Sequence, residues 1–429
     1  MTLFFFIHSA EDHHLGKIMP RSPHIQKSTD NPSETKPYTL AWISILSFLT
    51  LLGPMSIDMY LPAFPEIAVE FGVTTSVVSS SLPAYFLGLV IGQLVYGPIS
   101  DRFGRKPPLY FGLTLFVIAS VLCIFTTQIN QLLMTRVLQA LGGCVGMAMV
   151  RAAIRDRLTP KQSARALSSM MLMMGLAPIL APILGGWLLV NWGWQSIFIF
   201  LACFGVINIV LVHFYFEETL NDHKRKSLHV GDIFINYFHV CRDKSFLTPT
   251  LIGSLSYAAF FSYIAAAPAI FIDQFQIKPE NFGYYFSINA AGLIIFSQIN
   301  LRLIGRFNLI RILLLGILIQ VMSAVWLFIS PRYDLVSLSS TMLGLFGLVA
   351  GLGLVSANSN ALALSQQGQR AGTASALKGA IQFLICLIVV PISHSFNFNP
   401  LMNLSMIIML CTMLALILTM IYQKKFHTI

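Results

Sequence analysis

Charge is scarce in this chain of 429 residues. Lys and Arg number 27, Asp and Glu only 17, and together they make up 10% of the sequence. A soluble protein carries roughly 25%. Apolar residues are 56%, and mean hydropathy is +0.74. So few charges cannot cover a water-soluble surface, which excludes a string of soluble domains and also excludes a disordered chain. Cysteine is sparse too. Cys123, Cys144, Cys203, Cys241, Cys386 and Cys411 lie far apart without a CxxC pair, which argues against a disulfide scaffold. Five of them fall in apolar stretches, where the thiol serves as a small apolar group. No GxxxxGK[ST] loop, HExxH, Cys/His cluster or Ser/His/Asp arrangement occurs, and no GxGxxG opens a helix after a strand. These gaps speak against ATP-driven pumping, metal chemistry and acyl transfer.

Long apolar runs are abundant. A helix needs about 20 mostly apolar residues to cross a bilayer. Twelve runs qualify, at roughly 39–61, 77–99, 108–127, 131–154, 165–190, 194–216, 247–271, 282–304, 310–329, 337–360, 371–393 and 400–422. They do not alternate in period two, so membrane strands are not expected. The predicted fold class is an all-α membrane protein of 12 helices in two six-helix halves.

The net charge of +10 is distributed by topology. Loops after even-numbered spans hold Arg102, Arg105, Lys106, Arg155, Arg157, Lys161, Lys224, Arg225, Lys226, Arg242, Lys244, Arg306 and Arg370, and the C-terminal tail adds Lys424 and Lys425. Loops after odd-numbered spans hold only Lys278 and Arg332. This bias predicts both termini on the cytoplasmic side, and it explains the basic balance better than nucleic-acid binding does. The start MTLFFFI is too short for a signal peptide and has no basic leader. Residues 1–37 are expected to be a disordered cytoplasmic tail, with Met1 and Met19 both open as starts. Residues 38–216 then form the first half, 217–246 a cytoplasmic linker, 247–422 the second half and 423–429 a cytoplasmic tail. Equal halves suggest structural repeats.

Several motifs carry more specific information. Gly97-Pro98-Ile99-Ser100-Asp101-Arg102-Phe103-Gly104-Arg105-Lys106-Pro107 follows span 2. It closely resembles the loop 2–3 signature of the major facilitator superfamily. The resemblance implies a gate in which Asp101 docks on the neighbouring half, for which the positive start of span 11 near Gly372 and Thr373 is available. The plainer reading is that Arg102, Arg105 and Lys106 only set topology. In span 4, Arg136 and Gln139 lie in RVLQALGG, which is similar to the family's fourth-helix motif with its cavity-facing arginine. Snorkelling of Arg136 to the outer interface is the competing reading. In span 5, Pro178, Ala181, Pro182, Gly185 and Gly186 lie in LAPILAPILGG. That string resembles the antiporter signature of drug/proton exporters, with Ala-Pro where Gly-Pro is usual.

Asp58 is the only acid well inside an apolar run, in Asp58-Met59-Tyr60-Leu61-Pro62. The string resembles the first helix of the Bcr/CflA drug-resistance subfamily. An acid there is costly unless neutral, paired or wet, and it could exchange a proton between conformations. The alternatives are an acid solvated at the outer rim or one capping the turn before Pro62. Pairing of Asp58 with Arg136 is also open. Lys378 sits about two turns inside span 11, where the family usually has a small or apolar residue. It could snorkel, pair with an acid or contact an anionic substrate. Tyr85, Gln93, Tyr257, Tyr263, Asn289, Asn358, Asn360 and Gln382 are cavity candidates, though each reads more simply as a helix–helix hydrogen bond. His394 is expected at an exposed turn.

The resemblance implies a proton-coupled exporter of drugs or other small amphipathic molecules, in the inner membrane of a bacterium. It needs no cofactor, and it works by alternating access between two halves. Its partners would be a small-molecule substrate, protons and the lipid bilayer, and a monomer suffices. Asp58 would carry the proton, and Tyr60, Arg136, Gln139, Lys378 and Gln382 would face the substrate. A dedicated metabolite exporter or importer on the same fold is the first rival. A membrane enzyme or channel is the second, and the missing catalytic cluster counts against it.

Overall fold

In lipid no water is available to bond the backbone, so an apolar run must satisfy its own N–H and C=O groups as helix. The computed structural model describes residues 40–220, 223, 225, 230–333, 335–392 and 398–426. Among these residues there are helices and no strands. The first half contains α1 (Leu40–Asp58), α2 (Phe64–Phe71), α3 (Thr75–Ser79), α4 (Ser81–Phe103), α5 (Lys106–Ile124), α6 (Ile129–Arg157), α7 (Pro160–Trp192) and α8 (Gln195–Tyr215). After α9 (Val230–Arg242) the second half contains α10 (Lys244–Pro268), α11 (Pro279–Leu303), α12 (Leu309–Ile329), α13 (Leu338–Leu364), α14 (Ala371–Ile392) and α15 (Pro400–Phe426). Twelve helical segments among the described residues are long and apolar enough to cross a membrane. The expected tail 1–37, Lys224, Lys226 and His394 lie outside the described residues.

The halves repeat one packing scheme. In the first, α4 and α5 pack on α6, α8 packs on α5, and α1 touches α6, α7 and α8. In the second, α11 and α12 pack on α13, α15 packs on α12, and α10 touches α13, α14 and α15. Across the divide α7 packs on α11 and α14 on α4, the same contact made twice with the halves exchanged. Repeated halves joined in this way are the transporter plan that the equal division of spans suggested.

Three departures from the sequence expectations have local causes. The first span is not one helix. α1 stops at Asp58, a tight turn covers Leu61–Ala63, and α2 completes the crossing. Pro62 and Pro65 stand in the first turns of the two later pieces, where their missing N–H groups are tolerated, but neither can continue a helix from upstream. Second, the linker 217–246 contains α9, which is too short to read as a span. It packs on α10 and α14, and its Tyr237 hydroxyl donates to the Leu94 carbonyl of α4 at 3.0 Å. Third, α15 runs on to Phe426, so most of the expected tail 423–429 is helical.

Candidate functional site

Asp58 ends α1 at the break in the first span. It is 4% exposed and makes no hydrogen bond or ion pair among the described residues. It is therefore not solvated at a rim, and it caps no turn. The broken segment meets α10 and α11 of the other half, and Tyr263 of α10 lies within electrostatic reach of the carboxyl group. Asn289 Nδ2 of α11 donates to the Tyr263 hydroxyl at 3.0 Å. Asp58 thus stands where the two halves meet.

Arg136 does not pair with it. The guanidinium is fully buried, with its carbon 4.8 Å from the centre of the Tyr60 ring and 4.4 Å from that of Tyr85. Arg136 Nη1 donates to Gln139 Oε1 at 2.6 Å, and Nη2 donates to the Ser56 carbonyl at 3.0 Å. Gln139 Nε2 donates in turn to Ser120 Oγ at 2.8 Å. A delocalised cation between two aromatic faces can be held in an apolar interior without an acid. The expectation of a cavity-facing or snorkelling Arg136 gives way to a sealed one. It holds Ser56 and Tyr60, two residues before and two after Asp58.

A second polar cluster spans the halves nearer the end where the basic loops gather. Arg151 of α6 donates from Nη2 to Gln93 Oε1 of α4 at 3.0 Å, from Nη1 to Ser375 Oγ of α14 at 3.2 Å, and from Nε to the Met147 carbonyl at 3.0 Å. Lys378 lies one turn beyond Ser375, is 5% exposed and has no partner among the described residues. It neither snorkels to a surface nor meets an acid. Gln382, one further turn along, is half-buried. Arg151 went unnoticed in the sequence because it resembles the topology-setting bases that follow it. Its one signal is depth, since it sits a full turn deeper in the span than Arg155.

The basic loop is organised by acids of its own string, of α6 and of the start of the linker. Arg105 is buried. It donates from Nη1 to Asp101 Oδ1 at 2.7 Å and Ser100 Oγ at 2.6 Å, and from Nε to Asp156 Oδ2 at 2.9 Å. Glu218 accepts from the backbone N–H of Arg105 at 2.8 Å and of Lys106 at 3.0 Å, capping α5. Partial burial pushes the Glu218 carboxyl up, but these N–H groups with those of Leu220 and Thr219 outweigh it and hold it below the usual glutamate range. Arg157 pairs with Glu217 beside them. Gly104 has φ +92°, and a Cβ there would lie 2.5 Å from Glu218 Oε2, so both backbone and space demand glycine. Arg102 lies over Phe103, its neighbour. Gly97 has open space beside it. The expected docking of Asp101 at the start of α14 is not found. Asp101 pairs with Arg105, and the Arg155 guanidinium is the group beside Gly372.

α7 continues as helix through Pro178 and Pro182. A Cβ at Gly185 would overlap the Met59 carbonyl of the first span, and one at Gly186 would lie 2.9 Å from the Pro279 carbonyl of α11. Ala181 and Pro182 are buried, and Ser287 Oγ of α11 donates to the Ile179 carbonyl at 2.9 Å. This thinned helix is therefore packed between the Asp58 break and the opposite half. Of the other cavity candidates, Asn358 Nδ2 donates to Asn300 Oδ1 at 2.7 Å, and the Tyr257 hydroxyl bonds Ser356 Oγ at 3.0 Å. Both are helix–helix bonds.

The comparisons agree with this geometry. The family model described as Major Facilitator Superfamily matches residues 46–390. The MFS-type transporter YdgK of Bacillus subtilis (strain 168) is 33% identical over 371 residues, covering 84% of this chain and 90% of the relative. A bicyclomycin resistance protein homolog of Haemophilus influenzae is 29% identical over 347 residues, covering 81% and 87%. The crystal structure of a D-xylose–proton symporter superposes with a TM-score of 0.70 at 11% identity, covering 87% of this chain and 96% of that one, a likeness of fold alone.

Proposed function

The chain belongs to the major facilitator superfamily, and we propose that it exports drugs or other small amphipathic molecules across a bacterial inner membrane in exchange for protons. The orientation we propose places both termini and the basic loops in the cytoplasm. The observation that carries the coupling is Asp58, a buried acid without a partner among the described residues, at a break in the first span against the other half. An ionised carboxylate there has no donor among the described residues to hold it, so its protonation depends on which way the site opens. Arg136 acts as a positioning residue through the Ser56 carbonyl and the Tyr60 ring. The Haemophilus relative's name supports drug export. α4 against α14 and α7 against α11 supply the surfaces that rock in alternating access.

The test uses purified protein in vesicles loaded with a pH-sensitive dye under an imposed proton gradient. Candidate drugs are added one at a time, with Asp58→Asn in parallel. Drug-dependent proton release by the wild type but not by Asp58→Asn is expected. Equal release from both proteins removes Asp58 from the coupling. Silence from the folded wild type across the panel favours the dedicated metabolite carrier, the reading to which the Arg151 and Lys378 cations lend weight.

A further inference from the structure

Two cations from opposite halves meet inside the membrane-spanning region without an acid among the described residues. Arg151 lies six residues, about 9 Å, before the end of α6, and Lys378 lies seven residues, about 10 Å, after the start of α14. Their depths match. The Arg151–Ser375 bond brings the guanidinium to within one turn of Lys378, and the two charges are within electrostatic reach of each other. Gln93 completes the bridge. It accepts from Arg151, and its side chain lies 3.0 Å from where a Cβ of Gly379 would be.

Three of the five guanidinium N–H groups are used here, and none goes to a carboxylate. Lys378 donates to nothing among the described residues. Lys378 is buried while Arg151 is exposed, the two like charges repel, and burying the Lys378 ammonium without a counter-charge costs several times more than exposing it. A structural role alone would be met by a neutral residue at either position. The arrangement is complementary to an anion, with unused donors from both sides of the divide.

The neighbourhood limits what else such an anion carries. Five residues beyond Lys378, Phe383 of α14 lies 6.0 Å from Phe86 of α4 and 6.2 Å from Phe261 of α10, measured between ring centres. Phe86 and Phe261 are 4.8 Å apart. This three-ring cluster also joins the halves.

We infer that Arg151 and Lys378 form a subsite for the anionic group of an amphipathic substrate, a carboxylate, phosphate or sulfonate whose apolar part packs toward Phe86, Phe261 and Phe383. This rests on the export reading and deepens it by naming a substrate class. Because the cations come from different halves, an anion between them replaces their repulsion with two attractions and favours closure at that end. Its departure favours opening.

The probe is N-benzoylphenylalanine, an apolar carboxylate, compared with its uncharged amide. Binding is measured on the purified full-length chain in phosphatidylcholine nanodiscs. The carboxylate is expected to bind roughly tenfold more tightly than the amide, the worth of one charge-assisted contact. Lys378→Met should bring the two affinities together, and Lys378→Arg should restore the preference. Lys378→Met should also keep or raise the thermal midpoint, since it removes an unpaired buried charge. No carboxylate binding at millimolar concentration, equal binding of acid and amide by the wild type, or a preference that survives in Lys378→Met overturns the subsite. A preference abolished when phosphatidylglycerol is added to the discs assigns the site to a lipid headgroup and overturns the substrate reading. Proton-coupled export of tetraphenylphosphonium, a lipophilic cation, separates the two proposals. If it persists while carboxylate preference is absent, the subsite falls and export stands. If carboxylate preference holds while no compound releases protons, the coupling falls and the subsite stands.

Discussion

Arg136 makes the residue scale concrete. A lysine would keep its charge but lose the fork that reaches Gln139 and Ser56 together, and would lie less well between Tyr60 and Tyr85. Arg136→Lys is expected to cost about 1–3 kcal/mol, read as a lower thermal midpoint in detergent. It should also slow transport by loosening the backbone around Asp58. Glu218 gives a pH prediction. Its carboxyl is held below the usual range when folded, so its contribution is present above the ordinary glutamate value and is lost as pH falls through the folded one. Protection of the Arg105 and Lys106 amides, as exchange rates divided into the intrinsic rate at each pH, should therefore fall on acidification. In Glu218→Gln that protection should be low already and flat over the same window. An unchanged profile in Glu218→Gln would remove the cap from the account. At this scale the sequence was informative about residue types. Asp58, Arg136 and Lys378 stood out because charge in an apolar run is rare. Their partners were not legible, since Ser56, Tyr85 and Gln93 are common residues whose roles depend on which helix faces them.

At the scale of elements, α7 shows how a motif becomes a contact. LAPILAPILGG reads as a helix with one thinned face, and the structure says what uses the space. Gly185 admits the Met59 carbonyl, next to Asp58, while Gly186 and Ile179 face α11. Gly185→Ala forces the first span away from α7 and is expected to cost about 1–3 kcal/mol, as overpacking does. Thermal unfolding in detergent measures it. Passive proton leak into vesicles should rise in the same variant, whereas a merely decorative glycine would leave both unchanged. The break between α1 and α2 was written in Pro62 and Pro65, although the run's length favoured one continuous span. α9 was hidden because thirteen residues of mixed polarity do not register as a crossing.

For the whole molecule, the exchanged pair of contacts, α7 on α11 and α4 on α14, predicts where motion must occur. If the halves rock, tying Gln93 on α4 to Gly379 on α14 should arrest transport. Gln93→Cys with Gly379→Cys, joined by oxidation, is expected to abolish export, and reduction should restore it. Full export with the bridge intact would mean that this seam does not open. The loop acids behave differently. Asp101 and Asp156 of the first half and Glu218 at the start of the linker all gather on Arg105 and its N–H, which ties the basic loop to that half.

The sequence by itself determined the number of crossings, their division into two halves and the rarity of charge within them. Each follows from the local cost of placing polar groups in hydrocarbon, which needs no knowledge of neighbours. It also identified the family, through strings whose prolines, glycines and charges have fixed spacing. Only the tertiary structure decided which charges are paired. Arg136 rests between rings instead of against Asp58, Asp101 turns to Arg105 instead of α14, and Arg151 comes beside Lys378. Those outcomes depend on helix rotation and on which helices meet, and the Arg151 contact with Ser375 joins residues more than two hundred positions apart. Helical periodicity places a residue on a face of its own helix, and packing alone selects what that face meets.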